Sequence, residues 1–498
     1  MLRFTTSERN QQVLNYLDFQ YTVKRINKTC VEWRCRNRSC SSSLTLSLDN
    51  TCVRREPSIH SESCQAVQPS KIIVEETVEM MKRRAREETK SISQIYAEEI
   101  VATRRRHPGV PTGYYFPTLS SIDSSLYYHR SLNYPTLPKC LNDMVLSGEW
   151  CLTRSGERFL LVDETYDNKE RILLFGSRWS IEFLSFCSGW HADGTFLTRP
   201  LLFAQIYIIF GYFDGFLIPC IYCLTSRQDQ VTYEKILNHI ISIGYSQLNT
   251  RFSPQSLTCD FELGGINAAA KCFPNISITA CFFHYSQALW RKVQDLKLNS
   301  LISKSKTNNN SWSEEQRKAA YIWFSGAIGL ALIPPSHVES VWTNVMDEYI
   351  PETPLAQDFN DYMAENYVCQ QSSRYSIELW NVFTNIQQKL PRTNNAAEGY
   401  NHCMSTVFPP HPHIYEFIRC LKDEHEYQHH KAEEAQVHKK KRKNIYEKID
   451  AKLLQLIHQF ENRRITATEL AIKSGKTVKI KKGNKCYLCL SLLYFLIG

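Results

Sequence analysis

"WHADGTFLTRPLLFAQIYIIFGYFDGFLIPCIYCL", residues 190–224, decides how the middle of this chain folds. Leu201–Leu224 is apolar enough to raise the question of a membrane span, but Gln205, Asp214 and Pro219 interrupt it. Asp214-Gly215 is a strong hairpin turn signal between two β-branched and aromatic runs, so the stretch predicts a buried β-hairpin over 203–224. Upstream, residues 181–187 read as a strand on composition, which sets Asp193 between apolar strands. An ionised aspartate in such surroundings needs a strong partner or a metal. The competing reading is an Asx-turn, because "DGT" is ordinary turn chemistry.

Working outward, strands are expected at 158–163 and 171–175, and a helix at 232–244. The strand "SLTCD", the helix "ELGGINAAAKCF", the strand "ISITACFF" and a helix from Ser286 follow. Antiparallel strands followed by alternating helix and strand predict a mixed α/β sheet with helices on its faces. Residues 300–385 read as mostly helical, and "LPRTNNAAEGYNHCMSTVF" opens another helix. Toward the N-terminus, 107–139 reads as a connection and 72–106 as helical, with a Ser91-to-Gln94 start resembling a capping box. The first 65 or so residues carry strand-like pieces rich in Cys, Arg and Ser. No repeat period or long low-complexity segment interrupts this order.

Two further carboxylates draw attention. Asp260 ends the strand "SLTCD" at a helix start, where α/β sheets bind ligands at their carboxyl edge; an N-cap would explain it equally well. Glu398 falls in the first turns of a helix that Asn394 or Asn395 can cap, and taken alone its plainer reading is a favourable interaction with the helix dipole. Three carboxylates in one pocket would raise one another's pKa unless a divalent metal neutralised them. Mg²⁺ takes few carboxylates plus waters and phosphate oxygens, which suits a nucleic-acid substrate.

The thiols divide into groups. Cys35, Cys40, His60 and Cys64 form a tight pair at each end of a module too small to fold on apolar burial alone, a pattern that fits one structural zinc ion. Cys30 and Cys52 read as buried small hydrophobes. Cys281 and His284 make a C-x-x-H with no second half nearby, so a structural or positioning role is expected rather than a metal. "CIYC" (220–223) lies within a predicted strand, which argues against redox chemistry. The start "MLRFTTSERN" has no apolar signal region, and the 18 cysteines are spread over 498 residues, so most are expected to be reduced and intracellular.

Composition, with 43% hydrophobic residues, is that of a mainly globular protein. The net charge of +9 is unevenly placed: residues 431–498 hold 16 Lys and Arg against 6 Asp and Glu. Their block "HKKKRKN", with Lys439, Lys440, Lys441, Arg442 and Lys443, suits phosphate contact or nuclear import; a solvated helix face is the alternative. The apolar "CYLCLSLLYFLIG" at 486–498 is too short to span a bilayer.

"HADGTF", "CDFE", "CFFHYSQALWRKVQ" and "NNAAEGYN", in that order, resemble the catalytic domain of Mutator-like (MULE) transposases over about residues 185–425. The resemblance implies an RNase H-like mixed sheet interrupted by a helical insertion, with an acidic triad at Asp193, Asp260 and Glu398 holding Mg²⁺ or Mn²⁺. The N-terminal segment resembles a FLYWCH zinc finger through its aromatic strands and "WRC" element, but ends His-x-x-x-Cys where that family has His-x-His. The implied organisation is a small β-rich zinc module at 1–68, a helical and extended region at 69–145 available for DNA contact, the core at 146–299, the insertion at 300–385, the rest of the core with the third acid at 386–430, and a basic tail at 431–498. The implied function is DNA transposition: binding double-stranded element ends, cutting phosphodiesters and transferring strands, in the nucleus, with no membrane partner. A homo-oligomer is compatible with it. The rival expectation is a domesticated descendant, a nuclear DNA-binding regulator without catalysis. An unrelated α/β domain beside a structural zinc finger would leave the ordered acids unexplained.

Overall fold

A computed structural model describes residues 2–6, 11–88, 90–167, 169–302, 312–438 and 444–478, with the backbone of 481–482 and 485–486. The chain divides between Leu137 and Pro138 into two compact units.

The first unit opens with six antiparallel strands in sequential order, β1 (Arg3–Thr6), β2 (Gln12–Tyr16), β3 (Phe19–Ile26), β4 (Cys30–Cys35), β5 (Ser43–Ser47) and β6 (Val53–Arg55). Leu14, Tyr21, Val31, Trp33, Leu44 and Leu46 make its small core. The helical stretch predicted over 72–106 is two helices, α1 (Pro69–Glu87) and α2 (Ile92–Arg106); Ser91 Oγ accepts from Gln94 N at 3.2 Å as the sequence indicated. The expected connection at 107–139 contains a third helix, α3 (Leu119–Ser131), whose Leu126 packs with Met81, Ala85, Ile92 and Ile95. Its apolar residues, Leu119, Ile122 and Leu126, do stand at helical spacing, but they are few among serines and tyrosines, which leaves the signal weak.

The second unit is built on a seven-stranded sheet. Its strands are β7 (Leu160–Tyr166), β8 (Glu170–Phe175), β9 (Gly189–Thr195), β10 (Gln205–Phe213), β11 (Phe216–Thr225), β12 (Ser256–Cys259) and β13 (Ser277–Ala280), in spatial order β13-β12-β9-β10-β11-β8-β7. The hairpin β10–β11 turns at Asp214 and Gly215, both with positive φ (42° and 87°), as the Asp-Gly signal requires. β9 pairs antiparallel with β10 and parallel with β12, so it is the strand at which the sheet changes sense. Segment 181–187, expected as a strand, is instead part of helix α4 (Arg178–Phe186). Ser180 Oγ accepts from Ser177 N at 3.1 Å to start it, and Ile181 and Leu184 recur at helical spacing to bury one face. Helices α5 (Gln230–Leu248) and α6 (Leu263–Cys272) lie with α4 on the face that buries Trp190, Ala192, Tyr207 and Ile209.

The predicted strand "ISITACFF" (276–283) ends at Ala280, and helix α7 runs Phe282–Asp295, starting earlier than expected. Beyond it, α8 (Glu314–Gly329), α9 (Val338–Tyr349) and α10 (Pro354–Met363) surround a second core. The chain then returns to the sheet through α11 (Asn395–Val407) and α12 (Ile414–Val437). Part of the expected basic tail is not a tail. α13 (Asn444–Glu461) and α14 (Ala467–Val478) bury Ile449, Leu453, Leu456, Leu470 and Ala471 in the core of α8–α10. α14 crosses α8 so closely that a Cβ on Gly329 would stand 1.9 Å from Ala471 O, and one on Gly475 1.9 Å from Ser325 O. Arg392, just before α11, forms an ion pair with Asp450 of α13. The residues Lys439, Lys440, Lys441, Arg442 and Lys443 and the apolar 486–498 stretch lie outside those described in full.

Candidate functional sites

In the first unit, Cys35 ends β4, Cys40 follows it in the turn to β5, and His60 and Cys64 come from the segment after β6. One ligand atom from each of the four lies within 4.8 Å of all the others. Cys35 Sγ is 3.6 Å from Cys64 Sγ, and His60 Nδ1 is 3.3 Å from Cys40 Sγ and 3.5 Å from Cys64 Sγ. Cys64, whose spacing departs from the finger pattern, is therefore brought in with the rest. The other ring nitrogen, Nε2, meets Tyr21 Oη at 2.8 Å and Ser42 Oγ at 3.2 Å, and Phe19 stacks on the imidazole. Such contacts fix the ring with Nδ1 facing the thiols, as a ligand histidine needs. Burial pushes the Cys40 thiol up, but donors from Ser61, Ser42 and His60 outweigh it and take it down to about 6. Four soft donors with one nearly ionised thiol fit Zn²⁺. Cys30 is half-buried but Cys52 is exposed, against the expectation that both are buried.

In the second unit, side-chain alternation along β9 places Trp190 and Ala192 in the core beneath α5 and α6, and His191 and Asp193 on the opposite face, where α11 packs. Asp193 is a strand residue opposite Ile208, so the turn reading fails. It is buried, and its Oδ2 accepts from Asn401 Nδ2 of α11 at 2.8 Å. Burial raises its pKa well above the usual carboxylate range, and the neighbouring charges of Asp260 and Glu398 raise it further. Asp260 follows β12, the parallel neighbour of β9. It does not cap α6; its Oδ1 instead faces Glu262 N at 3.3 Å. Burial raises its pKa, opposed by the charge of His284. Glu398 stands in the first turn of α11, and burial takes it up to about 7. The three acids predicted from sequence are thus brought onto one side of the sheet, each holding its proton more tightly than in water. Such a set fits a divalent cation, which would supply the missing charge.

Asn394 was expected only as a helix cap, yet it makes no side-chain cap bond. Fully buried, it lies 2.9 Å from His191 Nδ1 through Oδ1, donates from Nδ2 to Ala192 O at 3.1 Å, and donates its backbone N–H to Cys281 Sγ at 3.0 Å. One residue therefore ties the strand of Asp193 to the helix of Glu398 and to the C-x-x-H element. Only its place in "RTNNAAEGYN" marked it beforehand, and the cap signal concealed its long-range role. Cys281 and His284 sit at the N-cap and in the first turn of α7, with His284 Nε2 3.2 Å from Glu398 Oε1. Cys220 and Cys223 are buried within β11.

No helix among the described residues is long and apolar enough to cross a membrane. A comparison with curated protein sequences returned no match. Residues 189–288, from the strand bearing Asp193 through Asp260 to the helix bearing His284, match the MULE transposase domain family.

Proposed function

We propose that the chain is a metal-dependent DNA transposase with an RNase H-like core and a FLYWCH-type zinc module. The observation that carries this reading is the convergence of Asp193, Asp260 and Glu398 across three separate parts of the chain. The sheet supports it too. Three consecutive antiparallel strands, β9, β10 and β11, are followed by two parallel strands added beside β9, which is the order of an RNase H-like sheet, with β7 and β8 extending the far edge.

Asp193, Asp260 and Glu398 would hold Mg²⁺ or Mn²⁺. When bound, the metal lowers the pKa of water and stabilises charge on the attacking and leaving phosphodiester oxygens. The chain's own residues do the positioning: Asn401 orients the Asp193 carboxylate, and Asn394 fixes the α11 start against β9 so that Glu398 faces the sheet. The element-end duplex is the proposed partner, the zinc module its reader, and the nucleus the compartment. The basic block at 439–443 would add phosphate contacts whose contribution falls with salt.

The test is cleavage of a supercoiled plasmid carrying the element's ends, with Mg²⁺ or Mn²⁺. Asp193→Asn, Asp260→Asn and Glu398→Gln remove charge with little change of shape. Each should lower cleavage by about 100-fold or more while DNA binding persists. Cleavage that survives all three replacements would reduce these acids to structural groups. DNA binding by a wild-type chain that cuts nothing would point to the regulator.

A further inference from the structure

The C-x-x-H element lacks a second half in the sequence around it, but the fold supplies one. Cys281, His284 and Glu398 each offer a ligand atom within 4.8 Å of the other two. Cys281 and His284 are three residues apart at the start of α7 and so share a helix face. Glu398 enters from the first turn of α11. The two helix starts are tied by backbone: Phe282 N donates to Arg392 O at 3.1 Å, and Asn394 N to Cys281 Sγ at 3.0 Å. Burial pushes the Cys281 thiol up to about 12, and the Asn394 N–H together with those at the start of α7 opposes that rise. His284 Nδ1 is buried with no hydrogen-bond partner among the described residues, and Glu398 Oε1 faces the other ring nitrogen, Nε2, at 3.2 Å. A buried thiol, an imidazole and a carboxylate with unused lone pairs form a donor set unlike that of Asp193 and Asp260. Thiolate and imidazole select Zn²⁺ and similar cations over Mg²⁺.

We infer that Cys281, His284 and Glu398 form a second, three-ligand site for a soft divalent cation of the Zn²⁺ class, and that a cation held there inhibits the Mg²⁺-dependent reaction by withdrawing Glu398 from Asp193 and Asp260. Binding displaces the Cys281 thiol proton to solvent and leaves the metal an open fourth position. The inhibition rests on the proposed nuclease; the binding does not.

The experiment uses the full chain, stripped of metal, reconstituted with Zn²⁺ alone and freed of loose ion before its metal content is measured. The wild type should hold about two zinc ions, and Cys35→Ser or His284→Gln about one each. His284→Cys keeps a soft ligand and should retain about two, which separates loss of a ligand from loss of folding. A wild type holding about one zinc, lost with Cys35→Ser and indifferent to His284, overturns the site. In the plasmid assay with Mg²⁺, prior loading with Zn²⁺ should reduce wild-type cleavage about tenfold or more. Undiminished cleavage by a chain carrying both zinc ions overturns the inhibition. A second zinc in a chain that cuts no DNA keeps the metal site and defeats the nuclease reading. Cleavage by a chain with no second zinc does the reverse.

Discussion

The two ligand clusters gather side chains in opposite ways. Cys35, Cys40, His60 and Cys64 come from 30 residues of one small module and offer ligand atoms within 4.8 Å of one another, with burial pushing the Cys35 thiol up to about 12 and local donors taking Cys40 down to about 6. Asp193, Asp260 and Glu398 come from three distant segments of a large unit, and burying them together raises every one of their pKa values. The module's core is a handful of residues around Trp33, so a zinc ion held by the four ligands would add directly to its folding free energy. The larger unit has two extensive cores and can hold three mutually repelling acids in place without help. On the proposed reading, a metal would be part of the scaffold in the first case and would complete a prebuilt site in the second.

That contrast breaks most readily at the zinc cluster. Cys35→Ser, or a strong chelator, should cost the first unit about 5 kcal/mol or more. Hydrogen exchange on the intact chain should then show β3 and β4 losing protection while β9–β11 keep theirs. Equal protection in both units after zinc loss would erase the distinction.

A smaller effect is expected at the packed side of the acid site. Asn394→Ala leaves His191 Nδ1 and the Ala192 carbonyl buried without their partner and should cost about 3 kcal/mol. Denaturant unfolding of the intact chain measures it, and faster exchange at the start of α11 should accompany it. A neutral result would mean that α11 is seated by its apolar contacts alone.

The smallest effect sharpens the electrostatic half of the comparison. Glu398 holds its proton up to about 7 when folded, against 4.5 ordinarily, so the folded chain binds more protons through that window. Without metal, stability should therefore fall as pH rises from 4.5 through 7, by about 2 kcal/mol after allowance for partial exposure. Glu398→Gln should flatten this part of the profile, and Mg²⁺ should offset the loss above pH 7. An unchanged slope in the variant would place the titration elsewhere.

The elements that position Asp193 and Asp260 were legible because their signals are local: Asp214-Gly215 sets the hairpin, and the short apolar runs ending at Cys259 and Ala280 set the parallel strands. Helix α4 was misread because Phe183 and Phe186 favour a strand by composition while its start depends on Ser177 and Ser180. The Cys35, Cys40, His60 and Cys64 cluster was legible for the same reason of proximity, including Cys64 despite its unusual spacing. What stayed hidden were partnerships across long stretches of chain. Asn394 with His191, Glu398 with His284, and α14 against α8 through Gly329 and Gly475 leave no periodic trace.

The ion pair between Arg392 and Asp450 has a consequence for how the protein is made. Asp193 and Asp260 leave the ribosome long before the segment that carries Glu398. That segment is anchored by Asp450 on α13, whose own packing uses α14. The contacts of Asn394 with β9 can form before α13 exists, but the Arg392 anchor is complete only when α13 and α14, up to about Val478, have emerged. A nascent chain would therefore carry two acids of an unfinished site until the helices that follow Glu398 have emerged.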